Sequence, residues 1–565
     1  MPADVASARA PATPNQRNAQ RGSRADEKLL AALARPETYA DRPASAEVRE
    51  THISWVFLAG ERAYKLKKPL VLPFLDYGTA ARRRDMCREE VRLNRRLAPD
   101  IYLGVRGVAA KPGGVELTAD DDPRAVEFVV EMRRYDEGQT LAARLERGEL
   151  DREQVVVVAR VLARFHARAR RVVVGGPAVL AVERRFERNL HELFTRVEQR
   201  GEVDRVLALE RFAHAFIVAR AHTFQMRASR GRVREGHGDL RAEHVLVNGD
   251  VRIVDCVEFD RELRELDVAD DLAFLVFDLA ARGGERFGEL LVKAYRDAGG
   301  DPGDDALIAF YVAYRALVRA KVALVGAAEH PVTSAAYGHA SAHVRDLIML
   351  AERFAWRARL PLVIVVCGVP ASGKSGLARA LAEVSGLPHL SSDVTRKRLA
   401  GLAATHRASS EVYNSEFNAR TYAELARRAV REVATNRGAI VDATFRRLTD
   451  RQAFASSFAG TAPLLFIECQ TPRAVLAQRA AKREHDPARV SDADLGVVLR
   501  EHETWEPLDE LPANAYLALR TDRPLEELVG DVLALLDHRW ARLAEPPQFS
   551  ATPARTSAPG EPMAP

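Results

Sequence analysis

Residues 361–375 read PLVIVVCGVPASGKS, and the order of residue types in this segment predicts the local fold. The first seven residues are mostly apolar and β-branched, which is typical of a strand buried on both faces of a sheet. The next eight fit the pattern GxxxxGK(S/T), and the helical stretch GLARALAEVSG follows. A buried strand, a glycine-containing turn and a helix in this order predict a phosphate-binding loop.

The residue types of this loop suit the binding of a polyphosphate. Glycines let successive backbone N–H groups curl around phosphate oxygens, and the helix N-terminus adds partial positive charge. We expect Lys374 to reach the β- and γ-phosphates of ATP and the Ser375 hydroxyl to bind Mg²⁺. The predicted nucleotide-binding residues are Gly368, Val369, Pro370, Ala371, Ser372, Gly373, Lys374 and Ser375.

Strand-like runs recur on the C-terminal side of the loop, with helical stretches between them. They read GAIVDATF, PLLFIECQ and AYLALR. Alternating strands and helices predict a parallel sheet with helices on both faces. We therefore expect an α/β P-loop NTPase domain over residues 356–544, followed by a disordered, Pro-rich tail over 545–565.

The N-terminal half has a different pattern, with most strands first and most helices after. Alternating THISWVFL and AYKLKK form a predicted hairpin, further strands lie near YLGVRGV and AVEFVVEM, and VRIVDCVEF predicts a strand over 251–259. Helical periodicity fills about 150–230 and 268–355. We expect an α+β domain of two lobes over residues 26–355, preceded by a disordered tail over 1–25.

Composition excludes several classes of protein. No apolar run among the 565 residues reaches the ~18 residues that a membrane span needs, so no membrane partner is expected. The 84 basic and 79 acidic residues are interspersed, which argues against nucleic-acid binding. The four cysteines are far apart and form no CxxC pair, so a reducing, cytoplasmic environment is expected.

The C-terminal half resembles the small P-loop kinases of the gluconate kinase, chloramphenicol phosphotransferase and zeta-toxin type. The resemblance rests on the loop and on HLSSDVTR at 389–396. It implies that Asp393 orients or deprotonates an acceptor hydroxyl, although Ser392 and Asp393 could instead cap the next helix. Asp442, which ends the apolar strand AIVD, would hold Mg²⁺ through water or would be a strand-end turn residue.

In kinases of this type a lid helix supplies arginines to the transferring phosphoryl group. Arg479 and Arg483 lie at i and i+4 on the helix after Thr471-Pro472, so they share one face. The resemblance implies that they stabilise the developing charge. The alternative is a basic face exposed to solvent.

The N-terminal half resembles the aminoglycoside phosphotransferase branch of the protein-kinase-like fold. The resemblance rests on HGDLRAEHVLV at 237–247 and on a following aspartate. It implies that Asp239 is the catalytic base and that Asp255 is the main Mg²⁺ ligand. His244 stands where the family usually has asparagine, and it could bind the metal, contact phosphate or leave a site for a single metal.

The same resemblance implies a lysine on the second strand of the hairpin and a glutamate on the next helix. Strand alternation puts Lys65 and Lys67 on one face; we choose Lys65 for the ATP phosphates and keep Lys67 as the alternative. Glu90 is the expected ion-pair partner, with Glu89 as its competitor. The main chain around 130–132 would face adenine.

A phosphotransferase-like half followed by a P-loop kinase half resembles bacterial fused proteins of that description. The resemblance implies an ATP- and Mg²⁺-dependent phosphotransferase that acts on a small hydroxylated acceptor. Two alternatives remain: a nucleotide-sensing regulator whose first half is a pseudokinase, and a toxin-like or polynucleotide 5′-hydroxyl kinase. The sequence carries no signal for an oligomeric state.

Overall fold

The computed structural model describes residues 27–543, apart from 73–74, 198–199, 328–330, 332, 485–490 and 492. The two segments predicted to be disordered tails, 1–25 and 545–565, lie outside the described residues.

The described strands, in chain order, belong to five sheets. They are β1 (Ala46–Glu50), β2 (Ser54–Ala59), β3 (Arg62–Lys67), β4 (Val71–Leu72), β5 (Leu75–Asp76), β6 (Tyr102–Lys111), β7 (Gly114–Ala119), β8 (Ala125–Arg133), β9 (Val233–Glu235), β10 (Val245–Asn248), β11 (Asp250–Ile253), β12 (Glu265–Asp267), β13 (Leu362–Cys367), β14 (His389–Ser391), β15 (Gly438–Asp442), β16 (Leu464–Gln470) and β17 (Tyr516–Arg520).

The described α-helices are numbered in the same way. They are α1 (27–33), α2 (Ala80–Asn94), α3 (Leu141–Glu146), α4 (Arg152–Arg168), α5 (Ala178–Phe194), α6 (Arg200–Ala219), α7 (Ala221–Ser229), α8 (Arg261–Arg264), α9 (Val268–Ala281), α10 (Glu285–Asp297), α11 (Asp305–Ala327), α12 (Ala335–Ala358), α13 (Lys374–Ser385), α14 (Ser392–Leu399), α15 (Ser415–Asn436), α16 (Leu448–Ser456), α17 (Arg473–Glu484), α18 (Leu495–Glu503) and α19 (Leu525–Leu543).

The chain divides into two compact units, and each is discontinuous in sequence. The first unit comprises Met1–Val174 and Arg227–Pro302, and the second comprises Gly175–Met226 and Gly303–Pro565. Compactness thus groups α5, α6, α11 and α12 with the P-loop region. The domain limit at 355/356 stays a prediction.

The first unit contains a six-stranded antiparallel sheet in the order β1-β2-β3-β8-β6-β7. Helix α2 packs on one face, where Cys87 and Val91 join a buried cluster with Val130. Helix α1 packs on the other face through Leu33. The rest of the unit is mainly helical, which confirms the predicted α+β, kinase-like arrangement.

The strand predicted over 251–259 is shorter in the structure. β11 ends at Ile253, and Asp255 has a φ of +65°. That left-handed conformation is unfavourable for a residue other than glycine, so the chain cannot continue as a strand through this point.

The second unit is built on a five-stranded parallel sheet in the order β14-β15-β13-β16-β17. Every residue of the central strand β13 is buried, as its continuous apolar run predicts. The residues of β13 alternate between two hydrophobic clusters, one on each face of the sheet. The predicted α/β P-loop fold is confirmed. Parallel pairing brings the carboxyl ends of these strands to one edge.

The helices and the cysteines have two further properties. Within the described ranges, each helix is too short or too polar to cross a lipid bilayer. Cys87, Cys256, Cys367 and Cys469 are all buried free thiols.

Candidate functional site

The segment 368–375 of the second unit is a tight turn that leads into α13. Gly368, Ala371 and Gly373 all have positive φ, and the backbone N–H of Ser372 donates to the carbonyl of Val369 at 3.2 Å. A Cβ at position 368 would lie 2.7 Å from the Cys469 carbonyl oxygen, so only glycine fits there. The turn has the geometry that wraps backbone amides around an anion.

Donor groups converge on this turn. Lys374 Nζ donates to the Val369 carbonyl at 3.0 Å, which holds the ammonium over the loop. Among the described residues, the buried Ser372 hydroxyl and the buried Nη1 of Arg479 have no hydrogen-bond partner. Buried polar groups are normally paired, so these two suit an anionic ligand such as the phosphates of ATP.

Two threonines, each directly after a strand of the parallel sheet, form hydrogen bonds with the loop. The Thr521 hydroxyl donates to the Ser372 carbonyl at 2.6 Å, and the Thr471 hydroxyl lies 3.1 Å from the same oxygen. Both residues are about 100 or more positions from the loop in sequence. No local motif marks Thr521, and sequence reasoning did not predict its role.

The two predicted Mg²⁺ ligands lie together. Asp442 ends β15 and is buried. Burial alone would raise the pKa of its carboxyl, but contacts with His389 and Ser375 and the charge of Lys374 lower the pKa overall. A carboxylate beside a hydroxyl at the phosphate turn supplies the oxygen ligands that Mg²⁺ prefers.

Asp393 lies in the first turn of α14, beside the same edge. The cap position of that helix is Ser391, and its side chain makes no capping bond; the alternative that Ser392 and Asp393 form the cap is therefore not supported. Burial and repulsion by Asp442 raise the pKa of the Asp393 carboxyl. A carboxyl with a raised pKa close to the phosphate site suits general-base chemistry.

Arg479 reaches the loop from α17. Its Nη2 donates to the Thr521 carbonyl at 2.6 Å, and its Nη1 would lie 3.3 Å from a Cβ built on Gly373. The guanidinium is therefore at the phosphate turn and is not part of an exposed basic face. The side chain of Arg483 lies outside the described residues.

Glu501 on α18 is an acidic residue of this site that sequence reasoning missed. In the described part of the chain its Oε2 is buried without a hydrogen-bond partner. Burial raises the pKa of this carboxyl, and Lys374, Asp393 and Arg396 are among the charges that act on it. Its neighbours along α18 form no recognisable motif, so the sequence offered no signal for it.

The first unit has a second cluster of charged groups, centred on β3. Lys65 Nζ lies 2.7 Å from Asp255 Oδ1 and 3.0 Å from Glu90 Oε1. The predicted pairing of Lys65 with Glu90 is therefore present. Glu89, the competitor, instead pairs with Arg92 at 2.7 Å and with Arg264 at 2.8 Å.

Lys67, the alternative phosphate ligand, is fully buried. Its Nζ lies 2.6 Å from Glu90 Oε2, is bonded to Glu258, and is 3.4 Å from the Tyr77 hydroxyl. That hydroxyl donates to Glu258 at 2.5 Å. Lys67 is thus enclosed by two carboxylates and cannot reach a ligand, whereas Lys65 lines a cavity.

That cavity has a volume of about 620 Å³, and Lys65, Asp255, Tyr102, Met132 and Tyr135 are among its lining residues. The main chain of 129–132 pairs with β3 on one side and β6 on the other. Its hydrogen-bonding groups are used in the sheet, so the expectation that they face adenine is wrong.

Asp239 and His244 lie on one loop between β9 and β10. Arg241 makes a bidentate pair with the Asp239 carboxylate at 3.0–3.1 Å. His244 Nδ1 is 2.9 Å from the Asp239 carbonyl, and its Nε2 is 3.7 Å from Asp255 Oδ2. The structure therefore brings the predicted base and the two predicted metal ligands together, and it adds Arg241.

The loop is held from beneath by Asp271 of α9. Its carboxylate accepts from the backbone N–H groups of His237 at 2.7 Å and Gly238 at 2.9 Å. His166 Nε2 lies 3.0 Å from the same carboxylate, and its Nδ1 lies 2.9 Å from the Tyr295 hydroxyl. His166 therefore supports the loop through Asp271.

The two sites differ in their fit to Mg²⁺. Ser375 and Asp442 offer oxygen ligands, which fit a hard cation. In the first unit the donors are the Asp255 carboxylate and the His244 imidazole, and imidazole is a poor match for Mg²⁺.

Comparisons with known proteins agree with the two-part architecture. Residues 363–508 match the AAA_33 family, described as an AAA domain. This match confirms the predicted P-loop domain. Together with the loop geometry and the kinase-like cluster, it identifies the chain as an ATP-dependent phosphotransferase.

Solved structures resemble each part of the chain. A gluconokinase from Sinorhizobium meliloti is 25% identical, with a TM-score of 0.24, over 33% of this chain and 95% of its own. A choline/ethanolamine kinase family protein from Mesorhizobium loti is 16% identical, with a TM-score of 0.35, over 59% of this chain and 95% of its own.

The related sequences include two from mycobacteria, each described as an uncharacterized protein. One is from Mycobacterium tuberculosis and one from Mycobacterium bovis; each is 39% identical over 356 residues, or 62% of this chain and 68% of the relative. At this identity and coverage, the chain belongs to the same protein family as these mycobacterial proteins.

Proposed function

We propose that the second unit is a kinase that transfers the γ-phosphoryl group of ATP to a hydroxyl of a small acceptor held near Asp393. The observation that carries this proposal is the convergence of Lys374, Ser375, Asp442 and Asp393 at one sheet edge, beside buried donors without partners among the described residues. A site of this kind binds a polyphosphate and places a base next to it.

The roles follow from the geometry. The loop amides and Lys374 would hold the phosphates, and Ser375 with Asp442 would hold Mg²⁺, which when bound offsets the phosphate charge. Asp393 would accept the proton of the acceptor hydroxyl. Arg479 would stabilise charge on the transferring group.

Glu501 and Arg396 extend the proposal to acceptor binding. Arg396 donates to the Asn418 side chain at 2.6 Å, while its buried Nε has no partner in the part of the chain that the structure describes. One unpaired donor and one unpaired acceptor, close to Asp393, suit a polar, hydroxylated molecule.

For the first unit we propose a second nucleotide site built on Lys65, Glu90, Asp239 and Asp255. One observation favours a sensor over a kinase there: Lys65 is already paired with Asp255, and Arg241 with Asp239. A nucleotide must displace these pairs. We keep the cytoplasmic location as part of the proposal, since buried free thiols suit a reducing compartment.

The test is a screen of metabolite pools for an ATP-dependent mass gain of one phosphate, run with the full chain. Lys374→Ala silences the second unit and Asp239→Asn silences the first. We expect a product that is lost in Lys374→Ala and kept in Asp239→Asn. A product that survives Lys374→Ala would contradict the assignment to the P-loop site.

A further inference from the structure

The proposed metal ligands of the first unit are one oxygen, from Asp255, and one nitrogen, from His244. This combination affects which cation the site prefers. His244 is only 7% exposed, and its Nδ1 lies 2.9 Å from the main-chain carbonyl of Asp239. A carbonyl oxygen only accepts, so Nδ1 carries the proton. In the neutral ring the lone pair is therefore on Nε2.

The second contact of this ring agrees with that tautomer. Nε2 lies 3.1 Å from Arg241 Nη2, and a guanidinium only donates. The imidazole is thus held as in many metal sites, with one nitrogen fixed by a main-chain carbonyl and the other able to bind a cation.

This second nitrogen faces the carboxylate of the predicted metal ligand. His244 Nε2 and Asp255 Oδ2 are 3.7 Å apart. One divalent ion can bind both atoms, since metal–nitrogen and metal–oxygen distances are about 2.0–2.2 Å. Asp255 is held in place by its left-handed backbone, by the Tyr102 hydroxyl at 3.1 Å, and by Lys65.

We propose that the nucleotide site of the first unit prefers a borderline divalent cation such as Mn²⁺ to Mg²⁺, and that His244 Nε2 is the ligand that sets this preference. The inference rests on the proposed nucleotide site of that unit. Imidazole suits first-row transition metals, whereas Mg²⁺ prefers oxygen. Arg241 contacts Nε2 in the structure and must leave it when the cation binds.

The experiment uses the full chain with Lys374→Ala and Ser375→Ala, so that the P-loop site holds no metal. Mn²⁺ is titrated in the presence of a non-hydrolysable ATP analogue, and bound Mn²⁺ is followed by electron paramagnetic resonance. We expect electron spin-echo modulation from a directly bound ¹⁴N. This readout needs no change at His244, so it stands even where variants fold poorly.

Three variants in the same background sharpen the result. His244→Asn removes the nitrogen signal and lowers the ratio of Mn²⁺ to Mg²⁺ affinity by about tenfold. Asp255→Asn abolishes binding of both cations. Arg241→Gln strengthens Mn²⁺ binding because the guanidinium no longer competes for Nε2.

Absence of the ¹⁴N signal from bound Mn²⁺ would overturn the proposal, as would no Mn²⁺ binding or an affinity ratio unchanged by His244→Asn. Failure of the proposed kinase function has a different signature, since that function is judged by product formation at the unaltered P-loop site.

Discussion

The two proposed nucleotide sites differ in how their charged groups are paired before any ligand binds. In the first unit Lys65 pairs with Asp255 and Glu90, and Arg241 pairs with Asp239. In the second, Lys374 donates to a main-chain carbonyl, and Arg479 Nη1 is a buried donor without a partner in the described part of the chain.

This difference has an energetic consequence. A polyphosphate that enters the P-loop site satisfies donors that are already desolvated, so little is lost on binding. A polyphosphate that enters the first site must replace carboxylates as the partner of Lys65. We therefore expect tighter nucleotide binding in the second unit, and substitutions in either unit test this difference.

The largest effect is expected from Asp393→Asn. Loss of the proposed general base should lower phosphotransfer by the second unit by about 10²- to 10⁴-fold, with nucleotide affinity unchanged because we propose that Asp393 faces the acceptor and not the nucleotide. Single-turnover kinetics and calorimetric titration with ATP measure the two quantities. Asp239→Asn is the matched control, and an equal loss in that variant would place the reaction in the first unit.

The next effect concerns the buried cluster around Lys67. Lys67→Met leaves Glu258 buried without its ammonium and should lower the free energy of unfolding by about 3–5 kcal/mol. Lys68→Met is the control. Lys68 pairs with the largely exposed Glu50, and solvent screens such an ion pair, so its loss should change stability little. Urea denaturation followed by circular dichroism compares them; similar losses would show that burial of Lys67 is unimportant.

The pH dependence of the second unit follows from the raised pKa of Asp393. The base acts as the carboxylate, so the rate should fall by about tenfold per pH unit below that pKa. This acid limb should lie at higher pH than for an ordinary aspartate. A pH profile of kcat/KM checks the shift, and an acid limb that persists unchanged in Asp393→Asn would exclude this residue as its cause.

The smallest effect is expected at the base of the loop. Thr521→Val removes the hydroxyl that donates to the Ser372 carbonyl and should cost about 1 kcal/mol of stability. ATP affinity of the second unit should fall modestly, while the first unit is unaffected. Thr461→Val serves as a control, since that hydroxyl bonds locally, to the Phe458 carbonyl. Equal ATP affinity in the two variants would show that Thr521 does not shape the loop.

The sequence predicted the second unit better than the first because its signal is local. The eight loop residues, the strand before them and the helix after them are contiguous, and each has one physical role. Thr521 and Glu501 were missed because only the tertiary fold brings them to the loop.

In the first unit, the sequence left open those assignments that depend on which side chains are buried. Strand alternation places Lys65 and Lys67 on the same face, and only the enclosure of Lys67 by Glu90 and Glu258 separates them. The left-handed backbone of Asp255 also depends on tertiary contacts. Arg241 could have been found, because it lies two residues after Asp239.

The discontinuity of the second unit bears on how the chain folds during synthesis. Helix α6 packs against α19, yet about 300 residues separate them along the chain. At about 5–20 residues per second, α6 leaves the ribosome roughly 15–60 s before its partner exists. The surface of α6 that α19 covers in the folded chain therefore stays without this partner during that interval.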